Sequence, residues 1–256
     1  MSDFDRNIAT ARTGYRTDQV AIDAGLRAYM IRVYNYMAAG VALTGVVSWL
    51  TYQAAGGDAI QVAGNRISGL TAFGQAIFGG PLTIVLFVGT LGLVFFLSLR
   101  INRLQPGTAL GLFMLYAGLL GLMLSSIFLS YTGTSITRVF FISAASFGAL
   151  SLYGYTTQRN LSPIGSFLIM GLFGLIIAML VQMWLQSPGL NFAISVIGVL
   201  IFAGLTAWDT QQIKEMYDVN DDGTVSGRKA VMGALRLYLD FINLFLMLLR
   251  LMGDRR

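Results

Sequence analysis

A long stretch of this chain, from Asn160 to Trp208, carries no charged side chain. The turn-forming residues Ser187, Pro188 and Gly189 divide it into two parts. Each part is close to the roughly 20 apolar residues that a membrane-spanning helix needs. Composition agrees, because 55% of the residues are hydrophobic and only 11% are charged, whereas soluble domains carry about 25% charged residues. The sequence therefore predicts an all-α polytopic membrane protein.

The same search along the whole chain predicts seven transmembrane helices. The seventh is the least hydrophobic, since Arg236, Asp240, Asn243 and Arg250 fall in or beside it. Such a helix is more stable when other helices surround it than when it faces lipid, so we expect helix 7 to be central in the bundle. The predicted spans are residues 33–52, 81–99, 108–130, 137–155, 163–185, 190–208 and 230–252.

The predicted membrane domain, residues 33–252, lies between an arginine-rich N-terminal segment, residues 1–32, and a short tail, residues 253–256. With the N-terminal segment inside the cell, most of the 17 basic residues fall in cytoplasmic segments, as membrane proteins prefer. We therefore expect a cytoplasmic N-terminus and a tail on the opposite side, although the two arginines of the tail argue mildly against this. Residues 20–30 suit either an amphipathic helix on the membrane surface or a solvated leader.

Two aspartates occupy positions that are unfavourable for charge. Asp209 closes the charge-free stretch, at the expected cytoplasmic end of helix 6, and Asp240 lies well inside helix 7. An ionised carboxylate at bilayer depth costs roughly 2.5–3.5 kcal/mol on insertion scales, so it usually faces a cavity or a partner. Two such groups near one another would titrate as a coupled pair. Both aspartates are therefore candidate functional residues.

Arginines at two places are candidate partners for these carboxylates. Arg236 lies one turn before Asp240, which makes a buried ion pair between the two an alternative to a functional role. Arg100 and Arg103 end helix 2 on the side where Asp209 is expected, so either of them could form an ion pair with it. For each of these two arginines alone, a position as an anchor at the membrane surface is the simpler interpretation.

The chain contains no cysteine and no histidine. Thiol chemistry, cysteine-based metal sites and serine–histidine catalysis are therefore excluded. Paired aspartates also suggest intramembrane proteolysis, but Asp240 follows Leu-Tyr-Leu rather than the Gly-x-Gly of presenilin-type proteases. We expect no enzymatic activity, no bound cofactor and no nucleic-acid partner.

A short acidic segment, DVNDDG at residues 218–223, resembles the start of an EF-hand calcium loop. Position 12 of such a loop would be Lys229, where an EF-hand requires glutamate. An acidic turn that attracts cations weakly is the better interpretation.

Five segments, in order along residues 25–253, resemble the Bax inhibitor-1 (transmembrane Bax inhibitor motif) family, close to its bacterial YbhL-like branch. The two most specific contain the aspartates; they are GLTAWDTQ at 204–211 and LYLDFINL at 237–244. The other three are FLSLRINRL at 96–104, SSIF at 125–128 and SLYGYTT at 151–157.

The resemblance implies a seven-helix bundle in a bacterial inner membrane, with helix 7 at its centre, that leaks Ca²⁺ in a pH-sensitive way. By this likeness Asp209 and Asp240 form a di-aspartyl pH sensor where Ca²⁺ binds transiently. A helix-2 arginine would hold Asp209 in the closed state by an ion pair, which we call the latch. Aligning on helix 2 assigns the latch to Arg100, whereas counting back from helix 3 assigns it to Arg103.

Other functions stay open at this level. A non-conducting regulator would bind a membrane protease or another membrane protein, or modulate a stress response, and would depend on the arginine-rich N-terminus rather than on the aspartates. A proton-coupled exchanger is a third alternative, weakened because no internal repeat is visible. With any of these functions, we expect the protein to lie in the lipid bilayer.

Overall fold

The fold is helical, with one small hairpin between the first two spans. The computed structural model describes residues 3–63 and 66–255, and the side chains of residues 24–61 and 67–255. Strands β1 (Gln61–Ala63) and β2 (Arg66–Ser68) pair antiparallel. Short 3₁₀ turns lie at Gly57–Ala59 and Ile101–Arg103. The α-helices of these residues are α1 (Asp3–Ala55), α2 (Ala72–Gly79), α3 (Pro81–Arg100), α4 (Pro106–Leu124), α5 (Ile127–Ser130), α6 (Gly133–Thr156), α7 (Ser162–Leu185), α8 (Pro188–Glu215) and α9 (Gly223–Met252).

Seven helices in the described part of the chain are long and apolar enough to cross a membrane, which confirms the predicted fold class. The sequence explains where several of them begin. Pro81, Pro106 and Pro188 stand in the first turns of α3, α4 and α8, where a missing N–H costs nothing. The seven candidate spans are Ala24–Ala55, Pro81–Arg103, Pro106–Ser130, Gly133–Thr156, Ser162–Leu185, Pro188–Glu215 and Gly223–Met252.

The first helix is longer than the predicted first span, because α1 runs without a break from Asp3 to Ala55. The N-terminal segment and the first span are therefore parts of one helix. The predicted amphipathic face over residues 20–30 lies largely outside the described side chains, which begin at residue 24.

Helix α8 corrects the prediction that Asp209 ends a helix and opens a polar loop. The helix continues to Glu215, and α9 begins at Gly223. The physical reason is tertiary burial: the Ile213 side chain is fully buried. In addition, the Gln211 amide donates to the carbonyl of Arg159 at 2.9 Å. Only residues 216–222 connect the two helices.

The most buried of the seven spans is the last one. In its most apolar stretch 72% of the residues are buried, against 44% for α8 and 11% for α3 and α7. Helix α9 packs against α1, α4, α6 and α8. Every side chain on α9 between Ala234 and Leu249 that faces these neighbours therefore lies away from lipid.

Close contact between α6 and α8 depends on a glycine. A Cβ atom at Gly154 would clash with the carbonyl oxygen of Ala207. Small residues of this kind let two helix backbones approach closely. The contact lies two residues before Asp209, and it fixes the position of α8 along α6 at that point.

The C-terminal tail is attached to the start of α6. The amide of Thr132 donates to the carbonyl of Asp254 at 3.1 Å, and the amide of Asp254 donates to Ser135 Oγ at 2.9 Å. Arg138 Nη2 lies 2.8 Å from Asp254 Oδ2. We call this end of the bundle the tail side, and the end that carries residues 216–222 the loop side.

Candidate functional site

The structure brings the two predicted aspartates together. Asp209 on α8 and Asp240 on α9 face one another across the antiparallel helix pair, close enough for their carboxyl groups to share a hydrogen bond. The Asp209 side chain is 13% exposed, whereas Asp240 is 5% exposed and fully enclosed by the helices. Two carboxyl oxygens can share a hydrogen bond only when one of them carries a proton. A hydrogen bond between the two carboxyl groups therefore requires one proton on the pair.

One oxygen of the pair has no partner. Asp240 Oδ2 is buried and accepts no hydrogen bond from the described residues. A buried polar atom without a partner is rare in folded proteins and calls for an explanation, such as an exchangeable proton, an ion or a water. Of the two carboxyl groups, the more deeply buried one, Asp240, is therefore the one whose hydrogen bonding is incomplete.

Arg236 is the cation next to the acid pair. Its Nη1 lies 3.8 Å from Asp209 Oδ1, and its charge also acts on Asp240. The alternative ion pair of Arg236 with Asp240 is not formed in the described chain, where the guanidinium pairs with Asp209 on the neighbouring helix. Arg236 precedes Asp240 by four residues, one turn closer to the loop side of α9. The Arg236 side chain is 38% exposed, so water reaches the site from that side.

The structure does not bring Arg100 or Arg103 to Asp209. Both residues are exposed at the end of α3, and neither forms an ion pair with a carboxylate of the described residues. Leu104, which directly follows, is held instead by α9, since Arg228 Nε donates to its carbonyl at 2.6 Å. In this conformation the position that the sequence assigned to a helix-2 arginine is taken by Arg236.

A chain of hydroxyl groups, which sequence reasoning missed, lies beside the acid pair. Tyr34 OH and Ser151 Oγ are 2.6 Å apart, and Ser151 Oγ and Thr210 Oγ1 are 2.9 Å apart. Thr210 Oγ1 also donates to the carbonyl of Thr206 at 2.8 Å. The chain links α1, α6 and α8, and Thr210 directly follows Asp209. The only sequence signal for it is the presence of small polar residues inside apolar spans.

The first member of this hydroxyl chain opens onto a groove between α1 and α6. The groove has a volume of about 540 Å³ and is lined mainly by apolar side chains, with Arg27 at one end. Tyr34 and Ser151 are among its few polar lining residues. A polar path therefore runs from the surface of the bundle to the residue next to Asp209.

The loop-side end of α8 is fixed by backbone carbonyls of the α6–α7 connection. Lys214 Nζ donates to the carbonyl of Tyr155 at 2.9 Å and lies 5.5 Å from the centre of the Tyr155 ring. Gln211 Oε1 accepts from the amide of Leu161 at 2.8 Å. These contacts hold the helix that carries Asp209 in a fixed orientation.

An acidic residue of the loop forms an ion pair with the first turns of α9. Lys229 Nζ, at position 12 of the EF-hand-like segment, lies 2.5 Å from Asp221 Oδ2. The backbone N–H of Asn220 donates to Asp218 Oδ1 at 2.9 Å. This hydrogen bond, helped by the Asn220 amide, holds the pKa of the Asp218 carboxyl below its ordinary value. Asp218 is therefore ionised throughout the neutral range.

No group of three or more acidic side chains meets anywhere in the described residues. A tight Ca²⁺ site needs six to eight oxygen ligands. The acid pair supplies carboxylate oxygens from only two residues, Asp209 and Asp240. Two residues alone fall short of that number of ligands.

Comparison with known proteins gives a consistent result. A sequence model of the family described as Inhibitor of apoptosis-promoting Bax1 matches residues 26–256. Inner membrane protein YbhL of Escherichia coli (strain K12) is 46% identical over 236 residues, which cover 91% of this chain and 94% of YbhL. Uncharacterized protein RP147 of Rickettsia prowazekii (strain Madrid E) is 46% identical over 256 residues, with 100% of both chains covered. An uncharacterized protein of Caulobacter vibrioides is 40% identical over 259 residues, again with 100% of both chains covered.

The family model spans residues 26–256, a range that contains Asp209, Asp240 and nearly all of the seven candidate spans. The Escherichia coli relative is named as an inner membrane protein. The chain therefore belongs to the Bax inhibitor family and is a multi-pass membrane protein.

Proposed function

We propose that this protein is a pH-sensitive, Ca²⁺-permeable leak channel in which Asp209 and Asp240 sense the proton concentration. The observation that carries the proposal is the buried carboxyl pair shared by α8 and α9, with one oxygen that has no partner among the described residues. Ionisable residues inside a membrane bundle characteristically mark ion or proton pathways.

The charge of the pair is the variable on which the mechanism depends. When both carboxyl groups are ionised they repel one another and attract a divalent cation, so the state that admits Ca²⁺ between α8 and α9 is favoured. Protonation removes the repulsion and lets the groups share a hydrogen bond, which favours the closed helix pair. Flux should therefore rise as the pH increases through the titration range of the pair.

Arg236 has a defined part in this mechanism. Its ion pair with Asp209 neutralises one carboxylate while the helices are closed. Separation of the guanidinium from Asp209 exposes the negative charge to the entering cation. Arg236 thus acts as the latch that the resemblance assigned to Arg100 or Arg103.

The direct experiment measures Ca²⁺ entry into liposomes that contain the purified protein, over a series of pH values. Asp209→Asn and Asp240→Asn keep the shape of each side chain but cannot ionise. We expect both variants to lose most of the flux and its pH dependence. The matched control is Asp218→Asn, which removes an exposed carboxylate from the loop and leaves the pair intact.

Unchanged flux and pH response in both asparagine variants would overturn the proposal. Absence of flux from the unaltered protein would favour the non-conducting regulator instead. That alternative predicts a co-purifying membrane protein whose binding is lost when residues 1–25 are deleted, irrespective of the aspartates.

A further inference from the structure

A second polar site lies on the tail side, at the opposite end of α9 from the loop. A cavity of about 270 Å³ separates the end of α7, the beginning of α8 and the last turn of α9. Ligand pockets usually start at about 300 Å³, so this one suits a small group. Its polar lining residues are Gln182, Gln186, Asn191, Ser195, Arg250 and Arg255.

The cavity is positively charged. Neither Arg250 nor Arg255 has a carboxylate within ion-pairing distance among the residues that the structure describes. The nearby acid, Asp254, is already bound to Arg138 at 2.8 Å. Two guanidinium groups therefore line one small cavity with no anion of the described protein to neutralise them. Guanidinium groups match the geometry of phosphate oxygens particularly well.

Gln182, which lines the cavity, contains an acceptor that lacks a donor among the described residues. Gln182 Nε2 donates to the carbonyl of Ser187 at 3.0 Å, which fixes the side-chain amide, since a carbonyl can only accept. Gln182 Oε1 is buried and accepts no hydrogen bond from the described residues. A ligand that carries an N–H or O–H donor as well as a phosphate would satisfy it.

The position of the cavity indicates where such a ligand comes from. It lies where α7 ends and α8 begins, and the ends of membrane-spanning helices are expected at the depth of lipid headgroups. Trp184, 83% exposed, stands at the same level, where tryptophan is enriched in membrane proteins. Phe192 and Leu251 line the cavity as well and are exposed towards the surrounding lipid.

We propose that this cavity binds the headgroup of a phospholipid, with Arg250 and Arg255 on the phosphate and Gln182 on a headgroup donor. Phe192 and Leu251 contact the first part of the acyl chains. Ethanolamine and glycerol headgroups carry the donor, whereas choline has none. The site is therefore selective for phosphatidylethanolamine or phosphatidylglycerol over phosphatidylcholine, and it is independent of the acid pair.

The experiment uses the full-length protein in detergent, supplemented with equal amounts of the three lipids, and counts retained lipid by native mass spectrometry. We expect retention of the ethanolamine or glycerol lipid to exceed that of the choline lipid about tenfold, equivalent to about 1.4 kcal/mol. Arg250→Gln together with Arg255→Gln should abolish the retention. Gln182→Leu should keep phosphate binding but lose the preference for headgroups with a donor.

Two controls separate this site from general effects. Arg159→Gln removes an exposed arginine that does not line the cavity, and it should retain lipid as the unaltered protein does. Thermal unfolding in lipid-free detergent must match between the variants, which excludes misfolding. Water-soluble glycerophosphoethanolamine tests the other source of phosphate, and it should compete only weakly because it lacks acyl chains.

Equal retention by the double arginine variant, or equal retention of the choline lipid by the unaltered protein, would overturn the proposal. Full competition by the soluble headgroup would also overturn it, since the site would then be one for free phosphate esters.

Discussion

At the scale of single residues, the two members of the acid pair have different surroundings. Asp240 is enclosed by helices and has an oxygen without a partner among the described residues, whereas Asp209 has Arg236 beside it and some contact with water. A buried charge without compensation is strongly unfavourable. In the proposed mechanism, the proton of the pair and the charge of Arg236 therefore decide which helix arrangement is stable.

Replacement of Arg236 tests its part as the latch. Arg236→Gln removes the only cation at ion-pairing distance from Asp209 within the described residues, so the free carboxylate attracts Ca²⁺ more strongly. We expect several-fold higher Ca²⁺ flux into liposomes at neutral pH. Arg236→Lys keeps the charge and should stay near the unaltered rate. A flux in the glutamine variant equal to that of the lysine variant would contradict the assignment.

A variant of Asp218 tests whether the loop contributes to pH sensing. The Asn220 amide holds the pKa of Asp218 below its ordinary value, so the carboxylate stabilises the loop at neutral pH. Its contribution is lost only as the pH falls through that depressed pKa, in the acid range. We expect Asp218→Ala to leave the pH midpoint of Ca²⁺ flux unchanged between about pH 6 and 8, around the neutral range where a functional switch operates. A shifted midpoint would place a sensor in the loop.

At the scale of the helices, the position of Asp209 depends on the contact between α6 and α8. Gly154 lets α6 approach the backbone of α8 at Ala207, and contacts from Gln211 and Lys214 fix the end of α8. Residues 207–214 are thus held against α6 and the α6–α7 connection along their whole length. These contacts fix the part of the α8 backbone that carries Asp209.

A methyl group at residue 154 should disturb this contact. Gly154→Ala places its Cβ against the carbonyl oxygen of Ala207, and overpacking of this kind costs about 1–3 kcal/mol. Gly148→Ala is the matched control on the same helix, because its Cβ meets no atom within 4 Å. Thermal or denaturant unfolding in detergent should show a loss for the first variant and none for the second. Equal stability of the two would mean that the helices can separate at little cost.

The comparison of sequence and structure is most instructive for these helices. The seven spans could be predicted because the length of an apolar stretch is a local property of the sequence. The end of α8 could not, since it depends on Ile213 and Gln211 finding buried partners elsewhere in the fold. The pairing of the aspartates was expected from their motifs, but the partner of Arg236 depended on how two helices face one another, and the i−4 spacing suggested Asp240 instead.

At the scale of the whole molecule, seven spans place the two ends of the chain on opposite sides. The tail side carries Asp254 and the phospholipid cavity, and the loop side carries residues 216–222, the exposed arginines of α3 and the opening to Arg236. In the two proposals, the proton therefore reaches the acid pair from the loop side, whereas the lipid headgroup binds on the tail side.

The orientation can be measured directly, because the chain has no native cysteine. Single substitutions Asn220→Cys and Asp58→Cys place reporters at exposed positions on the loop side and the tail side, respectively. The excess of basic residues on the loop side predicts that side to be cytoplasmic. A membrane-impermeant thiol reagent should label the Asp58→Cys variant in intact cells, and the Asn220→Cys variant only after permeabilisation. The reverse pattern would invert the topology.

The order of the helices has a consequence for how the protein enters the membrane. Asp209, Arg236 and Asp240 all belong to α8 and α9, which are consecutive and joined by only residues 216–222. If each helix inserted alone, every charged side chain at bilayer depth would cost roughly 2.5–3.5 kcal/mol of insertion free energy. If the two helices insert together as a hairpin, Asp209 and Arg236 enter the bilayer as an ion pair. The cost of inserting these two charges then falls before any other helix has packed around them.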